Sequence, residues 1–246
     1  MDQVVILAGG HGSRMKAAIP KPMLEVLGVP MLGWVVQACE AADLRNICVV
    51  TGYKSQFIEH YLNNKYKTVL QAERLGTGHA VMQAVPVLEE NPDGNTLVLC
   101  GDAPFMDSET IQQAYQLHTA QGNAVTVITA KLDNPFGYGR ILRSETGIAA
   151  IVEEKDATDA QRQIQEVNSG AYWFRTADLL TLLKGLSQSN VQGEYYLTDT
   201  IGLALEQGKK AGAYLTENTD VVLGANTRKD LLHLNEVARW KVLEKH

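Results

Sequence analysis

The residues of this chain that could do chemistry gather where apolar runs end. Residues 4–7 form a short apolar run that gives way at once to Ala8-Gly9-Gly10-His11-Gly12-Ser13-Arg14-Met15. Glycines directly after a strand leave backbone N–H groups open to an anion, where a Cβ would stand in the way. They equally suit a plain strand-to-helix turn. Two specific nucleotide motifs are excluded by spacing. The loop lacks G-x-x-x-x-G-K-[ST], and Met15 stands where G-x-G-x-x-G needs its third glycine. The next apolar run closes on Thr51-Gly52 and not on the acid that would hold a ribose in a nicotinamide-binding fold. A dehydrogenase is therefore disfavoured. Charge lifts this loop above a turn: Arg14 lies within it, and Lys21, between Pro20 and Pro22, lies just beyond. An arginine fork and a compact lysine charge beside a glycine-rich turn can grip a polyphosphate.

Other residues admit two readings each. Gly101-Asp102 follows the apolar run 96–100. An acid there can hold Mg²⁺, which takes oxygen ligands and substrate phosphates, or it can be an ordinary loop or cap residue. Gln71 carries two donors and an acceptor on one amide, which suits the polar edge of a ligand; the alternative is an exposed loop. Glu153 by itself reads as a solvated carboxylate and Asn168 as a turn residue. His79 reads as structural, near the start of its helix. Cys39, Cys48 and Cys100 lack a partnered catalytic arrangement, so buried packing is their default.

Elements must position these residues. Runs at 4–7, 47–50 and 96–100 read as buried strands, and helical spacing spans 30–44 through Met31, Trp34, Val35, Ala38 and Ala42. Ser55 is placed to cap a helix reaching Leu62, and Thr77 one from Gly78 to about Val85. Residues 108–121 read as a helix that Gly122 ends. Strands separated by helices predict an α/β fold: a Rossmann-like, mostly parallel sheet with helices on both faces. Beyond Ala124 the runs 125–130, 139–142, 148–153 and 170–174 are strand-like with fewer helices between them. They predict a small antiparallel elaboration beside the main sheet, covering a site. Residues 227–246 read as a long polar helix with Leu231, Leu234, Val237 and Trp240 on one side.

Composition narrows the function classes. The chain has 246 residues, 45% hydrophobic and 20% charged, enough for a sizeable core. A net charge of −6 argues against a general nucleic-acid or membrane-surface binder. Apolar stretches are too short to span a membrane, the first residues lack a signal-peptide pattern, and an odd cysteine count without C-x-x-C suggests reduced thiols. A cytoplasmic protein is expected.

Leu7-Ala8-Gly9-Gly10-x-Gly12-Ser13-Arg14-Met15 with Pro20-Lys21 resembles the signature of the sugar-phosphate nucleotidyltransferases. The short gap between Arg14 and Lys21 is most similar to the N-acetylglucosamine-1-phosphate uridylyltransferase branch. Nearly the whole chain continues the likeness: Gln71-Ala72-Glu73-Arg74-Leu75-Gly76-Thr77-Gly78-His79-Ala80, Gly101-Asp102, Phe136-Gly137-Tyr138-Gly139-Arg140, Ile151 through Ala157, Asn168-Ser169-Gly170, Gln192 through Asp199, and Asn226. The blocks 71–80 and 193–199 are the most specific of these.

This resemblance implies the nucleotide-diphospho-sugar transferase fold, with residues 1–226 as the nucleotidyltransferase domain and 227–246 as a C-terminal helical arm. It implies transfer of UMP from UTP to N-acetylglucosamine 1-phosphate, giving UDP-N-acetylglucosamine, used in cell-wall synthesis, and pyrophosphate. It assigns Mg²⁺ to Asp102 and Asn226, and catalytic charge to Arg14, Lys21 and Asp102. Leu7, Ala8, Gly9, Gly10, Lys21, Gln71, Gly76, Thr77, Cys100, Gly101 and Asp102 would line the substrate site. Gly139, Glu153 and Asn168 would hold the sugar and its acetamido group. Other readings are a nucleotidyltransferase for another sugar 1-phosphate and a catalytically silent nucleotide-sugar sensor. His11 stands where the pattern usually has Lys, Cys100 where it often has Tyr or Asn, and Pro22-Met23 resembles the broader superfamily. Bifunctional relatives continue into hexapeptide repeats that bind acetyl-CoA; none occurs here, so no acetyl transfer is expected of these residues.

Overall fold

The computed structural model describes residues 1–10, 12, 17–145 and 147–243. Arg14 and His11 lie outside the described residues, so the expectations for them receive no structural account. In chain order the elements are β1 (Gln3–Leu7), β2 (Glu25–Val26), β3 (Val29–Pro30), α1 (Met31–Ala41), β4 (Ile47–Thr51), α2 (Ser55–Leu62), β5 (Lys67–Leu70), α3 (Thr77–Gln83), α4 (Val85–Leu88), β6 (Asn95–Cys100) and α5 (Ser108–Gln121). They continue with β7 (Val125–Lys131), β8 (Arg140–Ser144), β9 (Gly147–Val152), α6 (Asp159–Arg162), β10 (Glu166–Arg175), α7 (Thr176–Leu183), α8 (Thr200–Glu206), β11 (Ala211–Leu215) and α9 (Arg228–Leu243).

Among the described residues one nine-stranded sheet dominates, with the path β11-β7-β10-β6-β1-β4-β5 and the β8–β9 hairpin attached to β10. β6, β1, β4 and β5 run parallel, whereas β10 is antiparallel to both β6 and β7. The apolar runs exist because both faces of the sheet are covered. Along β1, Val4 and Ile6 pack with Leu32, Val35 and Ile111 of α1 and α5. Val5, pointing the opposite way, packs with Val81, Leu88 and Leu179 of α3, α4 and α7. Each such side chain contributes about 1.5–3 kcal/mol on burial. No described helix is long and apolar enough to cross a membrane.

The expected fold class is borne out, with local corrections. The antiparallel strands are mostly not beside the main sheet: β7 and β10 are built into it, and only β8–β9 projects as a hairpin. Among the described residues only the short α6 intervenes between the strands of the region expected to be poor in helices; α7, α8 and β11, the last parallel to β7, follow it in a stretch for which no elements were expected. Ser55 and Thr77 are not side-chain caps, since each helix starts on that residue without such a bond. Thr77 Oγ1 instead accepts from the backbone N–H of Leu197 at 3.0 Å. In α9, Leu234 and Ala238 are buried against Val26, Met31 and Phe105, while Trp240 points to solvent at 67% exposure.

Candidate active site

The carboxyl ends of β1 and β6 lie side by side, with Leu7 paired to Cys100 and the Gly101 N–H donating to the Leu7 carbonyl at 2.9 Å. Chain segments crowd this edge closely enough to explain its glycines. A Cβ on Gly52 would come within 2.7 Å of Gly9 Cα, so the turn after β4 can seat against the loop after β1 only without side chains. A cavity of about 270 Å³ opens here, and its walls include Leu7, Gly9, Gly10, Lys21, Gln71, Gly76, Thr77, Cys100 and Asp102. These are nine of the residues expected to line a substrate site. Arg74, Ala80 and Glu194 join them, and no single motif position pointed to these three as wall residues. A larger groove, about 590 Å³, runs between α1, residues 104–108 and α9, with mostly apolar walls such as Trp34, Phe105 and Met106. It contains none of the expected site residues.

One corner of the cavity is made by charge. Lys21 opens a 3₁₀ turn, Lys21–Met23, between Pro20 and Pro22. Its Nζ lies 2.5 Å from Asp102 Oδ2 and donates to Asn226 Oδ1 at 2.8 Å. Asn226 reaches this point because the start of α9 is held by reciprocal bonds. The Thr227 N–H donates to Asp230 Oδ2 at 2.8 Å, and the Asp230 N–H donates to Thr227 Oγ1 at 3.2 Å. The Asn226 N–H also donates to Asp230 Oδ2, at 2.9 Å. Three remote segments thus converge on one cation-binding point, with a carboxylate and an amide oxygen facing the same ammonium.

A second corner is polar. β10 carries a bulge between Asn168 and Tyr172, where Gly170 adopts φ +79°. Asn168 Oδ1 accepts from the Gly170 N–H at 2.8 Å, and the Asn168 N–H donates to the Gly139 carbonyl at 2.9 Å. A Cβ on Gly139 would lie 3.5 Å from both Asn168 Cβ and Glu153 Oε2, so the three residues expected to hold a sugar do meet. Thr198 Oγ1 donates to Glu153 Oε1 at 3.3 Å, a partner the sequence did not reveal. Burial raises the Glu153 carboxyl above its ordinary range, Thr198 opposes this, and Asp156, Asp199 and Glu194 add to it.

Cys100 joins the two corners. Its thiol is pushed up to about 12, first by burial, then by Asp102, with Lys21 opposing and Glu153 adding. It therefore stays a neutral thiol and no nucleophile. Its Sγ sits 3.6 Å from the Gly170 carbonyl, and any Cβ on Gly170 would come within 2.8 Å of that sulfur.

The third side is a clamp between the blocks 71–80 and 193–199. The Gly78 N–H donates to Tyr195 O at 2.8 Å, and the Tyr195 N–H to Leu75 O at 2.7 Å. Gly76 turns between them at φ +107°, where a Cβ would sit 2.5 Å from Tyr195 O. Gln71 is 6% exposed and donates through Nε2 to the Gly76 carbonyl at 3.1 Å. The same Nε2 lies 3.1 Å from His79 Nδ1.

With this geometry in hand, comparison with known proteins places the chain among relatives. The model of the family "Nucleotidyl transferase" matches residues 3–240. The "Bifunctional protein GlmU" of Streptococcus gordonii is 44% identical over 246 residues, all of this chain and 53% of the relative. The protein of the same name from Acetivibrio thermocellus is 42% identical over 243 residues, 98% of this chain and 52% of the relative. The chain thus spans about half the length of the curated relatives it matches. Among solved structures, UDP-glucose pyrophosphorylase complexed with UDP-glucose superposes with a TM-score of 0.79 at 18% identity, covering 98% of this chain and 99% of that one. A Bacillus anthracis protein described as a glucose-1-phosphate thymidylyltransferase gives 0.79 at 20% identity, covering 97% and 96%. These two likenesses concern the fold.

Proposed function

We propose that this chain, which belongs to the nucleotidyl transferase family, transfers UMP from UTP to N-acetyl-α-D-glucosamine 1-phosphate, giving UDP-N-acetylglucosamine and pyrophosphate. Support comes from the name shared by relatives at 41–44% identity. The single observation that carries the reading is the meeting of Lys21, Asp102 and Asn226 beside the Gly9-Gly10 turn. It supports the reading because one cation and two hard oxygen donors stand together beside a turn whose backbone can approach phosphates.

In the reaction an oxygen of the sugar phosphate attacks the α-phosphorus of UTP. The new P–O bond forms as the bond to the bridging oxygen breaks, and pyrophosphate leaves with that electron pair. No protein nucleophile is required. The backbone of Gly9 and Gly10 lets the triphosphate approach closely. Lys21 neutralises the two phosphates that otherwise repel one another, and Arg14 takes up charge growing on the leaving group. Gln71, Gly76 and Thr77 hold the uridine, while Gly139, Glu153 and Asn168 orient the acceptor sugar, so that attack is in line.

The residues present fit Mg²⁺. Asp102 and Asn226 aim two oxygens at one point, occupied here by the Lys21 ammonium, a small hard-oxygen set that leaves room for phosphate oxygens. When bound, such a metal supplies charge stabilisation at the phosphates. Residues 1–226 form the catalytic body in this reading, and 227–246 a helical arm whose start aligns Asn226. Three free cysteines fit a cytoplasmic setting.

Pyrophosphate release across a panel of four nucleoside triphosphates and several sugar 1-phosphates tests the assignment. The pair UTP and N-acetylglucosamine 1-phosphate should give the highest kcat/KM. A higher value with another pair would reassign the substrates.

A further inference from the structure

Gln71 owes the state of its amide to a neighbour that nothing in the proposed reaction uses. The Gly76 carbonyl can only accept, so the nitrogen of the Gln71 amide must face it; the O/N orientation follows from that contact. The same nitrogen meets His79 Nδ1 at 3.1 Å. With one amide hydrogen on Gly76 O and the other on His79 Nδ1, both donors of Gln71 are consumed. What remains is Oε1, which rests against Gly9 on the cavity floor: a Cβ on Gly9 would lie 2.9 Å from it.

We propose that His79 is a positioning residue for base selection: by accepting the second amide hydrogen of Gln71, it leaves only an acceptor facing the nucleobase. The idea rests on the uridylyl-transfer reading and deepens it. Uracil offers an N3–H donor to such an acceptor. Cytosine has a bare N3 lone pair at the same ring position, so two acceptors would oppose each other there. Rejection by an unpaired or opposed buried polar group is far stronger than rejection by fit.

The local structure supports a positioning role. His79 stands in the first turns of α3, its ring stacked on Tyr195 at 6.2 Å and 25°. Accepting at Nδ1 puts the proton of the neutral ring on Nε2. There it faces the half-buried Gln83 amide, 3.2 Å away and also in contact with the His79 carbonyl at 3.0 Å. The Gln83 nitrogen is held by its donation to the His79 carbonyl. The pair His79–Gln71 has one consistent set of donors and acceptors, ending in an oxygen beside Gly9.

The test compares His79→Leu, which removes the acceptor, with His79→Asn, whose Oδ1 can stand in for Nδ1. Steady-state kinetics with UTP and CTP, calorimetric binding of UTP and thermal melts are measured on each. The leucine variant should raise KM and Kd for UTP about tenfold, the loss of one well-placed hydrogen bond. It should narrow the UTP:CTP preference by at least as much, with kcat and the KM for the sugar phosphate nearly unchanged. Asparagine should restore most of the preference. Should His79→Leu fail to fold, His79→Ala decides in the same assays. An unchanged UTP:CTP ratio, or equal losses with leucine and asparagine, would overturn the proposal, as would a loss confined to kcat or to the sugar. If the wild type prefers a base other than uracil, the uridylyl reading fails on that result alone. The positioning claim is then judged by whether His79→Leu alters the wild-type preference.

Discussion

Around Gln71 the chain is held largely by its own backbone, whereas at Lys21 three side chains from distant segments meet through charge. The first region ties 75–78 to 195–197 with main-chain bonds at 2.7 and 2.8 Å and the Thr77 bond at 3.0 Å. The second has Lys21 within 2.8 Å of Asp102 and Asn226, with Asn226 exposed. A base has a fixed shape and a fixed pattern of donors, and a preorganised wall reads it best. Phosphates change charge and position as the reaction proceeds. Long side chains such as lysine can follow them, at the cost of the rigidity seen on the other side.

The corner at Asn168 and Glu153, which we propose holds the sugar, resembles the Gln71 wall in this respect, and substrate analogues probe it hardest. A pocket in which Asn168 and Glu153 meet an acetamido group and hydroxyls should reject analogues that lack them. Glucose 1-phosphate and glucosamine 1-phosphate should fall by roughly two to four orders of magnitude in kcat/KM, compared at fixed UTP. Equal efficiency for glucose 1-phosphate would sink the sugar assignment and leave nucleotidyl transfer standing.

At the charged corner, Asp102→Ala and Lys21→Met should each lower kcat by about two to three orders of magnitude, as loss of a charge-stabilising group does. Melting temperatures should change little, because the corner is partly open to solvent: the Lys21 and Asp102 side chains are 12% and 29% exposed. A change confined to KM would mean that these groups bind the ground state only.

Which parts could be read from sequence follows the same divide. β1, β4 and β6 were legible because burial on both faces leaves uninterrupted apolar runs, and α5 because Gly122 ends it in the left-handed region at φ +63°. β5, Lys67–Leu70, was not: as an edge strand it is mostly exposed and carries no such run. β11 is rich in small residues and equally silent. Thr77 looked like a cap because hydroxyls usually serve the nearest N–H groups, but a segment 120 positions away claims it. In the site, the glycine turn with its neighbouring Lys21 pointed to a phosphate grip by type and place, whereas Asp102 read equally as a loop or cap residue. Nothing in their spacing joins Lys21 to Asn226, 205 positions on; family resemblance alone suggested that Asn226 mattered. Thr198 and the partnership of His79 with Gln71 were hidden because they arise only when the chain closes.

Smaller effects sharpen the contrast. Gly76→Ala forces a side chain into φ +107° and against Tyr195 O. It should cost roughly 1–3 kcal/mol of stability and raise the KM for UTP more than that for the sugar phosphate. Thermal melts and the two KM values check both statements.

Glu153 gives the smallest and most diagnostic change. Because burial raises its folded-state pKa, its favourable contribution is complete below the ordinary carboxylate range and is lost as pH rises through the raised value. Glu153→Gln should therefore melt higher than wild type at neutral pH. The difference should vanish in acid, while the KM for the sugar phosphate worsens. A constant difference across pH would show that the carboxyl does not titrate as described.

The central claim is the transfer itself, and labelled phosphorus follows it most directly. Purified chain, Mg²⁺, N-acetylglucosamine 1-phosphate and UTP labelled at the α-phosphorus should yield UDP-N-acetylglucosamine carrying the label, with unlabelled pyrophosphate in equal amount. Asp102→Ala should suppress both products together. Label that stays in UTP, or that accumulates covalently on the protein, would contradict direct uridylyl transfer.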